Sequence, residues 1–202
     1  MIFRASSIGK LMTSPDKAAL PVGAITELDK MISQKLLNWR DEMDFLELKK
    51  GIHCEGESIE LYNEQRDTFY LKNVERVTKG LLTGECDILD EQESLVIDIK
   101  TSYSKKSHPI NLKASKLYEW QLRAYMYLYD VQHAELAYCL VETPKEFRRA
   151  YEPDAWHEVD DVEMKYRLST CRLERCMEKE QQMLSRLDAS MNYINNYLGN
   201  IT

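Results

Sequence analysis

The stretch Gly84-Glu85-Cys86-Asp87-Ile88-Leu89, followed by Ser94-Leu95-Val96-Ile97-Asp98-Ile99-Lys100, limits the possible folds of this chain more than any other. It predicts a tight β-hairpin with Asp90-Glu91-Gln92-Glu93 as its turn. Strand side chains alternate faces with period two, so Asp98 and Lys100 share a face while Ile97 and Ile99 point the other way, into a core. Antiparallel pairing sets Asp87 opposite either Val96 or Asp98, and both registers leave Asp87, Asp98 and Lys100 on one face. The apolar run Leu95-Val96-Ile97, with Ile99 after it, marks a buried strand. Two like charges close together there repel by roughly 4 kcal/mol at an effective dielectric of about 20. A cation or a shared proton must relieve that repulsion. Hard oxygen ligands of this kind suit Mg²⁺ or Mn²⁺, and Lys100 would handle a water beside them.

The setting makes the signal, because the triplet alone is weak. Glu47-Leu48-Lys49 and Glu163-Met164-Lys165 have the same form in helical-looking segments and read as solvated charge.

The sequence has 202 residues, long enough for one domain with a substantial core, and its 44% hydrophobic and 30% charged content is that of an ordinary folded protein. Scarce glycine and proline favour long helices. No apolar run reaches about 18 residues and no basic-then-apolar leader is visible, so a membrane association is not expected and a cytoplasmic location is. Five cysteines without a Cys-x-x-Cys pair read as buried reduced thiols. The net charge of −7 argues mildly against nucleic-acid binding, although a local basic path can coexist with an acidic exterior.

Ser6-Ser7 can cap a short helix through Met12, and residues 15–23 read as a loop. Helices are predicted over residues 24–40 and 44–66, a strand over 68–78, the hairpin over 81–101, an aromatic-rich helix over 112–129 and a strand over 135–141. Residues 166–198 read as one long helix, or two, with Leu173, Met177, Leu184, Leu187, Met191, Ile194 and Leu198 as its stripe. This order suggests an α/β sandwich around a small mixed sheet.

Three features accompany the hairpin. Glu55, in Gly51-Ile52-His53-Cys54-Glu55, lies on a helix upstream and could add a third carboxylate. Gln121 and Tyr125 are four residues apart and share a helix face, where an amide and a phenol could align a lysine, a water or a phosphate. The basic, hydroxyl-rich stretch Thr101-Ser102-Tyr103-Ser104-Lys105-Lys106-Ser107-His108 follows Lys100 directly, and its lysines could grip phosphates.

Taken together, Gly51-x-x-x-Glu55, Asp87, Asp98-Ile99-Lys100 and Gln121-x-x-x-Tyr125 resemble the PD-(D/E)XK nuclease superfamily. The branch they look most like is that of phage-type exonucleases related to the YqaJ and lambda exonuclease group, with RecB-type nuclease domains as wider kin. The opening Ala5-Ser6-Ser7-Ile8-Gly9-Lys10-Leu11-Met12 is similar to the start of that group, where a serine belongs to a terminal-phosphate pocket. The resemblance covers roughly residues 4–142. It implies a restriction-endonuclease-like α/β (α+β) core, a small mixed sheet flanked by helices, within a single domain over 1–202 that ends in a helical extension of about 158–198.

The resemblance further implies a metal-dependent deoxyribonuclease. Asp87, Asp98, the backbone carbonyl of Ile99 and Glu55 would hold Mg²⁺, with Mn²⁺ able to substitute. Lys100, Gln121 and Glu55 would be catalytic, and Ser6, Ser102, Lys105, Lys106 and Tyr125 would meet the substrate. DNA is the expected partner, in a bacterial cell or phage-infected host, with a single-strand annealing or recombination protein and a homo-oligomer as further associations. Cys171 and Cys176 do not reproduce the spacing of relatives that hold an iron–sulfur cluster, so none is expected. The sequence departs from the family at Cys86, where a proline is usual, and at Glu85, where a phosphate-binding serine is expected. Arg4 does not stand at the position of the arginine that lambda-like members carry upstream. The competing reading is a catalytically silent module of the same fold in a recombination or packaging complex.

Overall fold

A computed structural model describes residues 1–41 and 45–200 of the chain. The elements run β1 (Phe3–Arg4), α1 (Ile8–Leu11), α2 (Val22–Leu36), α3 (Leu46–His53), α4 (Glu55–Arg66), β2 (Val77–Lys79), β3 (Leu82–Gly84), β4 (Ile88–Asp90), β5 (Leu95–Thr101), α5 (Lys116–Tyr129), β6 (His133–Cys139), β7 (Leu168–Glu174) and α6 (Met177–Gly199). Two small mixed sheets result, one ordered β1-β3-β2 and the other β4-β5-β6-β7. The fold is mixed α/β, with helices flanking the sheets and a long C-terminal helix, as the sequence predicts.

The hairpin of β4 and β5 pairs Ile88 with Ile97 and Asp90 with Leu95. Continued one step, this register sets Asp87 opposite Asp98, which decides between the two registers left open by sequence. β5 runs parallel to β6 and β6 antiparallel to β7. A parallel pair needs a crossover, and α5 supplies it. α5 therefore lies across one face of the sheet, starting at Ser115, whose Oγ accepts from the Tyr118 amide.

Period two in β5 divides the core. Val96 joins Leu122, Met126, Ala134 and Leu136 in a cluster on the α5 side, which also takes in Met183, Leu187 and Ile194 of α6. Ile97 and Ile99 join Ile88, Cys54, Ile59, Tyr62 and Cys139 on the α4 side. Asp98, on the Val96 side, is thus aimed at α5 and is only 2% exposed. Two glycines permit the close packing around α5. A Cβ on Gly9 would lie 2.7 Å from the Leu117 Cα. One on Gly84 would lie 2.8 Å from the Ala5 Cβ and 3.0 Å from Tyr125 Cε1.

Three expectations change. The predicted strand over 68–78 shrinks to β2, because Phe69, Leu71 and Val74 find no apolar face and stay 93%, 86% and 82% exposed. Hydrogen bonds hold the segment instead: Asn63 Nδ2 donates to the Tyr70 carbonyl, and the Tyr70 amide donates to Asn63 Oδ1. The predicted helix from 166 is β7 up to Glu174, and α6 begins only at Met177. Leu168-Ser-Thr-Cys-Arg-Leu-Glu is an edge strand whose Arg172 and Glu174 are exposed, a common protection for an edge. The helix predicted over 44–66 is two helices broken at Cys54, and its first position, 44, lies outside the described residues.

Candidate active site

The β3–β4 connection carries Asp87, β5 carries Asp98 and Lys100, and α5 presents Gln121 and Tyr125 to the same place. The Asp87 Oδ2 accepts from the Ile99 amide at 2.6 Å. Lys100 Nζ lies 2.6 Å from Asp98 Oδ2 and 3.4 Å from the Ile99 carbonyl oxygen. Gln121 Nε2 donates to Asp98 Oδ1 at 2.8 Å and to the Tyr125 hydroxyl at 3.2 Å. All but Ile99 line a cavity of about 290 Å³ that Arg4, Ser6, Arg76 and Glu85 also line.

The loop that carries Asp87 is clamped from behind. The Asn73 amide donates to the Asp87 carbonyl at 2.7 Å, and Asn73 Nδ2 donates to the Cys86 carbonyl at 2.9 Å. The Tyr129 hydroxyl accepts from the Cys86 amide and donates to the Glu75 carbonyl. The irregular segment replacing the predicted strand thereby fixes the backbone of the first acid.

Burial raises the Asp87 pKa well above the usual carboxylate range, and the Asp98 charge adds to it against the pull of Lys100 and the Ile99 amide. Burial works against the Lys100 ammonium, yet Asp98 and Asp87 outweigh it and hold its pKa above the ordinary lysine value. Burial and then Asp98 push the Tyr125 phenol up, so it stays protonated at neutral pH. The pocket therefore has two crowded acids and one firmly charged lysine, an arrangement that favours a further positive charge.

The sequence matches the PD-(D/E)XK nuclease superfamily over residues 21–192. The chain belongs to that superfamily. Among solved structures, a phage-related exonuclease from Haemophilus somnus 129PT superposes with a TM-score of 0.93 at 27% identity, covering 100% of this chain and 97% of that one. An alkaline exonuclease from Laribacter hongkongensis shares the fold, with a TM-score of 0.73 at 14% identity over 99% of this chain and 91% of its own. That enzyme is also known in complex with dAMP, with a TM-score of 0.71. No curated protein matches the sequence. The family and the phage-related neighbour support a nuclease, and members of this superfamily generally use divalent metals.

The side chains fit such an ion in part. Asp87 and Asp98 offer hard oxygens around the Ile99 carbonyl, and Asp98 Oδ2 is buried beside Lys100. Among the described residues no three His, Cys, Asp or Glu side chains stand together as a metal cluster. Mg²⁺ retains several waters and commonly takes one or two carboxylates plus substrate phosphate, so a pair of aspartates suffices. Glu55, at the start of α4, is paired with Lys72. Its charge still reaches Asp87 and adds to the rise in that pKa.

Of the residues expected to meet substrate, Ser6 and Tyr125 line the cavity. Ser102, Lys105 and Lys106 do not. Ser102 is buried, with its Oγ 2.8 Å from His108 Nδ1. Lys105 pairs with Asp161, and Lys106 sits 4.7 Å from the Trp156 ring centroid. The basic loop after β5 thus rests against the segment before β7, with Lys105 on a carboxylate and Lys106 on an indole. Glu85, where a serine is expected, is held by Arg76 at 2.9 Å. Sequence reasoning missed Arg4 and Arg76 as cavity residues. Arg4 reaches it because β1 pairs with β3 in parallel, Arg4 beside Thr83, a contact that no local pattern announces.

Proposed function

We propose that this chain is a metal-dependent deoxyribonuclease, an exonuclease of phage or prophage type that hydrolyses DNA phosphodiester bonds in recombination or DNA processing. The observation that carries the reading is the convergence of Asp87, Asp98 and Lys100, with Gln121 locking Asp98, on one cavity. Asp87, Asp98 and the Ile99 carbonyl would hold Mg²⁺, with Mn²⁺ as a substitute. A dication there supplies Lewis acidity toward a phosphoryl oxygen and toward water.

The chain's own groups do the rest. Lys100 is charged at neutral pH and stands where it can orient the attacking water and offset the charge that builds on the phosphoryl oxygens. Gln121 occupies Asp98 Oδ1 and so leaves Oδ2 turned to Lys100 and the metal position. Tyr125 fixes the Gln121 amide. Ser6, Arg4 and Arg76 face the remaining wall and bind phosphate oxygens of the substrate. Glu55 acts beside Asp87 through a water, once Lys72 engages the substrate instead. The products are a 5′-phosphate and a 3′-hydroxyl. The silent-module reading has no observation in its favour, since the acids and the lysine all meet.

The test is cleavage of linear duplex DNA with Mg²⁺, using Asp98→Asn and Lys100→Ala alongside Asp87→Asn. Each should lose cleavage by about 10²–10³-fold, on the order of what one electrostatic group supplies, while remaining folded by circular dichroism. Wild-type rates in Asp98→Asn or Lys100→Ala would refute the assignment.

A further inference from the structure

A second, larger groove adjoins the cavity. It measures about 800 Å³ and runs between the N-terminal segment and α2. Arg4 lines both spaces, and the adjacent serines divide between them, Ser6 in the cavity and Ser7 in the groove. Five cationic side chains face it, Arg4, Lys10, Lys30, Lys35 and Arg40, against the carboxylates of Glu27 and Asp41. Glu27 pairs with Lys10 at 3.2 Å, and Asp41 pairs with Lys30. Arg4, Lys35 and Arg40 have no carboxylate partner among the described residues. On a chain of net charge −7 this is a local excess of positive charge that opens onto the reacting centre.

The groove also holds an indole. α2 ends at Leu36, and Asn38 takes the left-handed conformation (φ 50°) that turns the chain. Trp39 follows. Its amide donates to the Gln34 carbonyl at 3.2 Å and its Nε1 to Ser33 Oγ at 3.1 Å, which fixes the ring while leaving the residue 38% exposed. A fixed, half-exposed indole among unpaired cations has the makeup of a single-strand site, in which cations follow the phosphates and an aromatic ring stacks a base.

We infer that this groove binds a single DNA strand continuous with the strand in the cavity, its phosphates met by Arg4, Lys35 and Arg40 and one base stacked on Trp39. The inference rests on the nuclease reading for what lies in the cavity, but the binding itself needs no catalysis.

Anisotropy of a fluorescein-labelled 12-nucleotide single strand, in EDTA and over a range of salt, tests it. Trp39→Ala should weaken binding by about tenfold, in line with the loss of one stacked base, and Trp39→Phe should retain most of it. Lys35→Ala combined with Arg40→Ala should flatten the slope of log K against log salt by about 1.4, two single-strand contacts at roughly 0.7 each. All three variants should melt like the wild type. They should also hydrolyse thymidine 5′-(p-nitrophenyl phosphate), which reaches only the cavity, at the wild-type rate. Wild-type affinity and salt slope in Trp39→Ala and in the double variant would overturn the groove. A wild type inert toward both the small diester and DNA would instead overturn the nuclease reading, leaving the binding result to judge the groove separately.

Discussion

Replacing Lys50 with methionine should unfold this chain more readily than any surface change. Lys50 is fully buried on α3, an unusual place for an ammonium. Its Nζ donates to the Ser102 carbonyl at 2.7 Å, to the Val141 carbonyl and Thr143 Oγ1 at 2.8 Å each, and to the Tyr103 carbonyl at 3.2 Å. It thereby ties the chain leaving β5, two residues beyond Lys100, to the chain leaving β6. Burial lowers its pKa to about 8, so the amine is still charged at pH 7. Methionine keeps the apolar stem and removes every donor. The Thr143 hydroxyl already donates to the Tyr103 carbonyl at 2.6 Å, so those two partly satisfy each other. The carbonyls of Ser102 and Val141 lose the ammonium outright. At about 1–3 kcal/mol for each buried acceptor left bare, the loss comes to roughly 2–6 kcal/mol, a range that spans the cost of deleting one side of a buried charged contact. Urea titration at pH 7 measures it. With a slope of about 2 kcal/mol/M, the midpoint should fall by roughly 1–3 M at unchanged slope. A midpoint within about 0.3 M of wild type would mean that these carbonyls reach water without Lys50, and the argument that this cage braces the end of β5 would fail.

Two further perturbations follow from the same contacts. The Tyr70 hydroxyl donates to Asp90 Oδ2 at 2.5 Å and holds that carboxyl below its usual pKa, so the stabilisation is fully present above about pH 4 and is lost as pH falls through the depressed value. A double-mutant cycle of Tyr70→Phe and Asp90→Asn should show a coupling at pH 7 that vanishes near pH 2, and a coupling equal at both would contradict the sign. Gly84→Ala drives a methyl into Ala5, Leu128 and Tyr125, and overpacking of this kind costs about 1–3 kcal/mol. Calorimetry should find the thermal midpoint roughly 3–10 °C lower, and an unchanged midpoint would show that α5 yields freely.

What sequence could and could not reveal divides along physical lines. The hairpin was legible because period two, a turn and an apolar run all agree locally, and the face shared by Asp98 and Lys100 followed from that period alone. Gln121 and Tyr125 were legible for the same reason in a helix. The strand over 68–78 was misread because alternation marks a strand only where a sheet has room for one, and Phe69, Leu71 and Val74 meet no such room. β7 was misread because Leu173 and Met177 fit a helical stripe, while the strand depends on β6 lying alongside, a contact distant in sequence. Lys105 and Lys106 looked available because their partners, Asp161 and Trp156, lie about fifty residues on. Nothing local sets Lys50 apart, because the groups that hold its ammonium, from Ser102 to Thr143, lie far along the chain.

The positions of the cations bear on how an acidic chain would handle DNA. A net charge of −7 repels a polyanion at long range, and at about 0.15 M salt that repulsion is screened beyond roughly 8 Å. Inside that distance only local charge matters. Lys72, Arg76, Lys105 and Arg123 are each paired with a carboxylate, so they contribute little net field. Arg4, Lys35 and Arg40 face one groove without such partners among the described residues, and Lys100 faces two acids whose charge a dication would cancel. A bound dication would therefore do more than supply Lewis acidity. The three carboxylates lining the cavity, Glu85, Asp87 and Asp98, balance Arg4, Arg76 and Lys100, so a dication that cancels Asp87 and Asp98 would leave the cavity net positive toward phosphate. DNA should then bind more tightly with the ion than without it, and Asp87→Asn combined with Asp98→Asn should narrow that difference.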